Sequence, residues 1–236
     1  MRIEGGKKEL FRKVFVSIPL PFSKWLYSFA RNNLFRDSRK PYFENAFQSV
    51  KNKGPNGDYL EFGVFAGTSF ILAANCAARY GLREMRFFAF DSFEGLPEGE
   101  GEVFNQGQFQ FSEEGFTRTV VKAGVPAEKI IKVKGWYSES LTPEVKRKYQ
   151  LREAAIVHID CDLYSSTRDA LAFVQDLVRV GSVVIFDDWY CFGEKKDAEQ
   201  FGEERAFREW PLSKYFEEFY DFSPNKAFIM TSAPPR

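Results

Sequence analysis

Residues 58–81 read DYLEFGVFAGTSFILAANCAARYG. An apolar run gives way to a turn holding Gly63 and Gly67, and from about Thr68 apolar residues recur at helical spacing until Gly81. Gly81 suits a helix C-terminal cap. A strand, a glycine turn and a helix in that order form the opening unit of an α/β fold. Glycine in such a turn lets a ligand approach the backbone, and the helix N-terminus that follows favours an anionic group.

The rhythm repeats along the chain. MRFFAFD ends at Asp91 and is followed by a long polar loop and a helix around TRTVVKAG. KIIKVKGW leads to a helix with Thr142 as N-cap and Pro143 at its first position. AAIVHID precedes the helix STRDALAFVQDLVRV, read as stopping at Gly181, and SVVIFDD closes the series. A further helix is read near ERAFREW, before FEEFYDF and KAFIMTS, which flank Ser223-Pro224-Asn225 as an edge hairpin. Five near-continuous apolar strands alternating with helices predict an α/β fold, a mostly parallel sheet of seven strands with helices on both faces and an antiparallel C-terminal hairpin.

Composition narrows the classes. The 236 residues carry 33 basic and 33 acidic side chains, yet residues 1–40 hold ten Lys/Arg against three acids. The zero net charge argues against a globally basic nucleic-acid binder. Three cysteines without CxxC spacing read as free thiols in a reducing compartment, so the expected location is cytoplasmic. VFVSIPLPFS lacks a small-residue cleavage site and holds two prolines, which argues against a signal peptide. No apolar run reaches the ~20 residues of a membrane span. Residues 1–50 are read as a helical extension, with short helices over residues 10–35 broken at Pro19 and Pro21, and residues 51–236 as the main domain. The extension is assigned to a homodimer contact or lid, with peripheral membrane contact through its basic aromatic face as the sharper alternative.

Ligands of a doubly wound sheet bind beyond the carboxyl ends of its strands, and all five strands end there in polar or aromatic groups. The first carries Glu61 and the Gly63–Gly67 turn. Phe65 in mid-turn breaks the GxGxxG pattern and makes a dinucleotide pyrophosphate a poor fit. Asp91 ends the second strand, where an acid can take both hydroxyls of a ribose, and Trp136 offers a face for a base. Asp160, Asp187 and Asp188 end two strands that this topology makes neighbours. Three carboxylates converging without His or Cys form a hard-oxygen site suited to Mg²⁺. Asp162 reads as a fourth ligand or a general base. His158, within the apolar strand, reads first as a hydrogen-bonded core residue, and Cys161 as packing.

YLEFGVFAGTSF, FAFDSFEGLP, GWYSESL, VHIDCDLYSST and VVIFDDW, in this order and spacing over roughly residues 58–190, resemble the macrocin O-methyltransferase (TylF/MycF) family of sugar O-methyltransferases. The resemblance implies a class I, Rossmann-like methyltransferase fold that binds S-adenosylmethionine (SAM), with Mg²⁺ on Asp160, Asp187 and Asp188 and the general base at Asp162. Cofactor contacts fall on Glu61, Gly63, Thr68, Ser69, Asp91, Ser92 and Trp136, beside Gly67 of the turn. The acceptor implied is a sugar hydroxyl of a glycoside, nucleotide sugar or glycan. A catechol-type diol acceptor and a non-catalytic SAM-binding or membrane-associated protein are the competing readings. The loop over residues 93–111 has the glycines and length of a lid.

Overall fold

The structure is a computed structural model that describes residues 36–97, 105–190 and 202–235. The chain divides into two compact units, Met1–Pro41 and Tyr42–Arg236. The expected helices over residues 10–35 and the middle of the candidate lid loop lie outside the described residues. None of the described helices is long and apolar enough to cross a membrane.

Helix α1 (Arg36–Lys53) leads into β1 (Asp58–Phe62), α2 (Thr68–Arg79) and β2 (Phe87–Asp91). Next come α3 (Glu113–Lys122), β3 (Ile130–Lys134), the short helices α4 (Tyr137–Ser140) and α5 (Pro143–Lys148), and β4 (Ala154–Ile159). Helix α6 (Tyr164–Val174), β5 (Val178–Phe186), α7 (Gly202–Glu209), β6 (Phe216–Phe222) and β7 (Asn225–Met230) complete the order. The seven strands form one sheet in the order β3-β2-β1-β4-β5-β7-β6. Strands β1 to β5 pair in parallel, and β7 runs antiparallel to both β5 and β6. The order reverses between β1 and β4, which makes the carboxyl ends of those strands the switch point where α/β sheets bind ligands.

Period-two alternation divides the core into two layers. Leu60, Phe62, Phe88, Phe90, Ile159 and Phe186 pack beneath α6 and α7. Tyr59, Phe87, Ile156, Val183 and Ile185 face α1, α2 and α3 on the other side. The high phenylalanine content works through ring geometry: Phe62 and Phe90 stack at 4.6 Å, and Phe207 and Phe228 at 4.2 Å. Such pairs add about 0.5–1.5 kcal/mol beyond the area they bury and restrict how neighbouring strands slide.

One boundary differs from the sequence-based expectation. Helix α6 ends at Val174, and β5 has begun by Val178, so Gly181 lies inside a strand rather than at a helix cap. The β4–β5 register shifts between Ala154 and Ile156. Gly181 takes φ +91° there, where an added Cβ would stand 2.8 Å from the Lys53 carbonyl oxygen. Ser182 mends the ladder with its side chain, accepting from the Arg179 N–H at 2.9 Å and donating to the Ala154 carbonyl at 2.6 Å. A left-handed glycine serves a bulge as well as a cap, and the β-branched run decides for the strand.

The turn after β1 is built around a close approach. Gly63 sits at φ +86°, and a Cβ on it would lie 2.0 Å from the carbonyl oxygen of Asp160. Gly63→Ala is therefore expected to cost about 2–4 kcal/mol, from backbone strain and forced separation of β1 from the end of β4. Urea denaturation measures it; a loss below about 0.5 kcal/mol would contradict the close approach.

Candidate active site

Three backbone hydrogen bonds level the rim. Gly63 N–H donates to Phe90, Asp160 N–H to Phe62 and Asp187 N–H to Ile159, at 2.9, 2.8 and 3.0 Å. The residues that follow β1, β4 and β5 are thereby fixed side by side. Asp160 and Asp187 meet here with His158, each offering a ligand atom within 4.8 Å of the others.

Adjacent residues at a strand end point to opposite faces, and this separates the two neighbouring acids. Asp187 turns to the α1 side. Its Oδ1 accepts from the Asn225 side-chain amide at 2.8 Å and from the Tyr42 hydroxyl at 3.3 Å. The Asn225 amide also donates to the Asp187 carbonyl, which locks side chain to backbone. Asp188 falls outside the three-residue group, and its N–H donates to Glu203 Oε2 at 3.0 Å. Glu203, on α7, is 1% exposed, and its Oε1 has no hydrogen-bond partner. Burial first, then the nearby charges of Asp188 and Asp162, push its carboxyl well above the usual range.

His158 lies between two carboxylates, with Nδ1 3.7 Å from Glu61 and Nε2 3.7 Å from Asp187. Burial alone would lower its pKa, but Asp187 and Glu61 outweigh that and raise it to about 9. The edge-on ring of Phe43, 5.2 Å away between centroids, packs against the imidazole. Glu61 is fully buried and accepts from the Tyr59 hydroxyl at 2.5 Å and from Ser69 Oγ at 2.6 Å. A polar chain thus runs beneath the rim from the start of α2 to the β5–β7 pair.

The glycine turn is held from the other side by Asp91. Its Oδ2 accepts from the N–H groups of Val64 and Phe65 at 2.8 and 3.3 Å, and its Oδ1 from Phe93 N–H at 2.7 Å. Burial raises its pKa while these bonds lower it in part. Phe65, Phe93 and Phe109 all have positive φ, of 41°, 57° and 61°, a conformation rarely taken by bulky residues and found where function fixes the backbone. Phe65 contacts Phe109 and Phe111, and the two arms of the long loop are joined by Leu96–Gln108 and Gly107–Leu96 backbone bonds of 2.8 and 2.9 Å.

The remaining expected residues have local roles. Gly67 takes φ +80° as N-cap of α2, with Val120 2.6 Å from where a Cβ would be, and Thr68 opens the helix. Ser92 Oγ donates to Gly95 and accepts from Glu94 N–H, fixing the turn after β2. Trp136 is the half-buried N-cap of α4 at the end of β3. Asp162 is buried at φ 60°, the central residue of a tight turn closed by Leu163 N–H on the Cys161 carbonyl. The Cys161 thiol is pushed up by burial and contacts Thr167 at 3.5 Å, as packing requires.

Glu203, Asn225, Tyr42 and Tyr137 are additions that motif reading missed. Tyr137, half-buried on the same face as Glu203, donates to the Phe90 carbonyl at 3.1 Å beneath the rim. Glu203 had a signal: it shares i, i+3, i+4 and i+7 spacing with the buried Ala206, Phe207 and Trp210. An acid in an apolar helical stripe reports a buried polar contact. Asn225 reads only as a turn residue.

The two carboxylates of the group suit a hard dication, while the His158 imidazole that stands with them, in place of Asp188, departs from the all-oxygen set expected from the sequence. Octahedral ligands about 2.1 Å from Mg²⁺ stand about 3 Å apart when adjacent and about 4.2 Å when opposite, within reach of the span that separates Asp160 and Asp187.

Strand order, switch point and antiparallel hairpin define the class: this is a class I methyltransferase fold. The structure of the O-methyltransferase NovP matches with a TM-score of 0.65 at 24% identity, covering 82% of this chain and 80% of that one. Demethyldecarbamoylnovobiocin O-methyltransferase of Streptomyces niveus is 29% identical over 66% of this chain and 62% of its own length. The 8-demethyl-8-(2,3-dimethoxy-alpha-L-rhamnosyl)-tetracenomycin-C 4'-O-methyltransferase of Streptomyces olivaceus is 27% identical over 64% of this chain. The chain spans 62% and 59% of the lengths of these two curated relatives. The family model for macrocin-O-methyltransferase (TylF) matches residues 32–214. The chain belongs to that family.

Glu203 supplies a test of the site's charge. Its raised pKa means that the folded chain holds a proton which the unfolded chain loses above about pH 4.5, so its contribution to stability falls as pH rises from there. Glu203→Gln keeps an acceptor for Asp188 N–H and removes that cost. In EDTA at pH 8 the variant is expected to be more stable by about 1–3 kcal/mol in urea, with a flatter pH profile. A variant less stable than the native chain would show the charge to be compensated.

Proposed function

We propose that this chain is a SAM-dependent O-methyltransferase that uses Mg²⁺ to methylate a sugar hydroxyl. The observation that carries the reading is the meeting of Asp160 and Asp187 beside the Gly63–Gly67 turn, at the switch point of a class I methyltransferase sheet. Family membership supports methyl transfer. The rhamnosyl group in the name of the S. olivaceus relative supports a sugar acceptor over a catechol.

Asp160 and Asp187 would hold the dication, while Asp188, expected from the sequence as a third ligand, lies outside their group. A bound dication supplies charge that lowers the pKa of an acceptor hydroxyl, and SAM supplies a methyl group on a sulfonium that leaves readily. The chain's own work is placement and proton transfer. The Gly63–Gly67 turn would carry the donor at the switch point, and the N-terminus of α2 follows it, its N-cap Gly67 bringing no capping side chain. Asp91 fixes that turn and keeps further lone pairs for the ribose hydroxyls. Asp162 takes the proton of the acceptor hydroxyl, whose oxygen bonds to the methyl carbon as the carbon–sulfur bond breaks, leaving S-adenosylhomocysteine. Holding oxygen, carbon and sulfur in line supplies most of the acceleration.

Residues 1–41, rich in basic and aromatic side chains, are proposed as the homodimer contact. The acceptor is proposed to be a glycoside or nucleotide sugar.

Asp162→Asn is expected to lower methyl transfer by about 10²–10⁴-fold while leaving SAM affinity within about twofold in calorimetry. EDTA is expected to abolish turnover, with Mg²⁺ restoring it. Full activity in chelator would remove the dication from the scheme, and an active Asp162→Asn would remove the base.

A further inference from the structure

The donor turn and the dication ligands are joined by a single ring. His158 lies in the middle of the sheet, its backbone in register with Glu61 on β1 and Ile185 on β5. The imidazole is fully buried, neither ring nitrogen has a partner at hydrogen-bond distance, and each stands 3.7 Å from a different carboxylate. Glu61 is tied to the donor turn through Ser69, the second residue of α2. Asp187 is tied to the hairpin through Asn225. The ring cannot hydrogen-bond to both acids at once. A swing of about 0.8 Å towards one brings it to the ordinary ~2.9 Å and leaves the other beyond reach. Phe43 bounds the movement on the α1 side.

We propose that His158 is a positioning residue that couples donor binding to dication binding by moving between Asp187 and Glu61. This rests on the functional reading above. With Asp187 engaged by a dication, its oxygens become weaker acceptors and the ring moves to Glu61. The ring then fixes the orientation of the Glu61 carboxylate, and with it Ser69 and the start of α2, so the donor binds a turn already ordered. The coupling is therefore positive, and by linkage the donor strengthens dication binding by the same factor.

Calorimetry of S-adenosylhomocysteine with the full chain, in EDTA and in saturating Mg²⁺, reads the coupling without turnover. Mg²⁺ is expected to tighten binding about 5–20-fold in the native chain and less than twofold in His158→Gln. A native change below twofold, or an undiminished change in His158→Gln, overturns the inference. His158 is the only histidine of the chain, so its ring nitrogens can be followed by ¹⁵N NMR in the native protein even where the variant fails to fold. Added Mg²⁺ is expected to shift Nδ1, on the Glu61 side, as well as Nε2; a shift confined to Nε2 contradicts the movement. Absence of any S-adenosylhomocysteine or Mg²⁺ binding sinks the functional reading itself, an outcome distinct from two ligands that bind independently.

Discussion

The site depends on the parallel pairing of β4 with β1 on one side and β5 on the other, in a register that ends all three strands level. Phe62 pairs with Ile159 and Ile159 with Phe186, so the next residue of each strand emerges at the same height. A slip of one residue would send every side chain to the opposite face. Asp160 and Asp187 would then point away from each other, and the Gly63 turn would lose its fit against the Asp160 carbonyl. Val157 and Ile159 on one face of β4 and Ile156 on the other fill both core layers, and that packing resists the slip. Ordinary core packing is in this sense what places two like charges together, at a cost that an ion can offset.

The second consequence of the register is the division of labour between Asp187 and Asp188. One peptide bond separates them, yet they serve opposite faces. Asp187 is oriented by Asn225 and Tyr42, as ligands of bound ions generally are by surrounding donors. Asp188 contributes its backbone N–H to Glu203, and its charge adds to the burial that pushes the Glu203 carboxyl up. Both faces meet around Asp160, whose charge is felt by Glu203 on one side and Tyr59 on the other.

Much of this was legible in the sequence because burial on both faces leaves continuous apolar runs, and acids at their ends stand out. Asp160, Asp187 and the Gly63–Gly67 turn could be placed at one rim from the alternation of strands and helices alone. What could not be read was contact between elements far apart in the chain. Asp91 reads as a ribose ligand, but motif reading does not show that three backbone N–H groups already occupy it. Asn225 looks like a turn residue until β7 is laid beside β5. Glu203 is hidden by the surface pairs Arg205–Glu209 and Arg208–Glu204 on the same helix. Gly181 was ambiguous for a local reason, since the same positive φ ends a helix or bulges a strand.

The central claim is that carboxylates from β4 and β5 share one dication at the switch point. Anomalous scattering from crystals grown with Mn²⁺ and S-adenosylhomocysteine tests it most directly. The account predicts one strong peak at coordination distance from both the Asp160 and Asp187 carboxylates, beside the bound thioether. A peak held by neither, or none at all with the thioether in place, would contradict it.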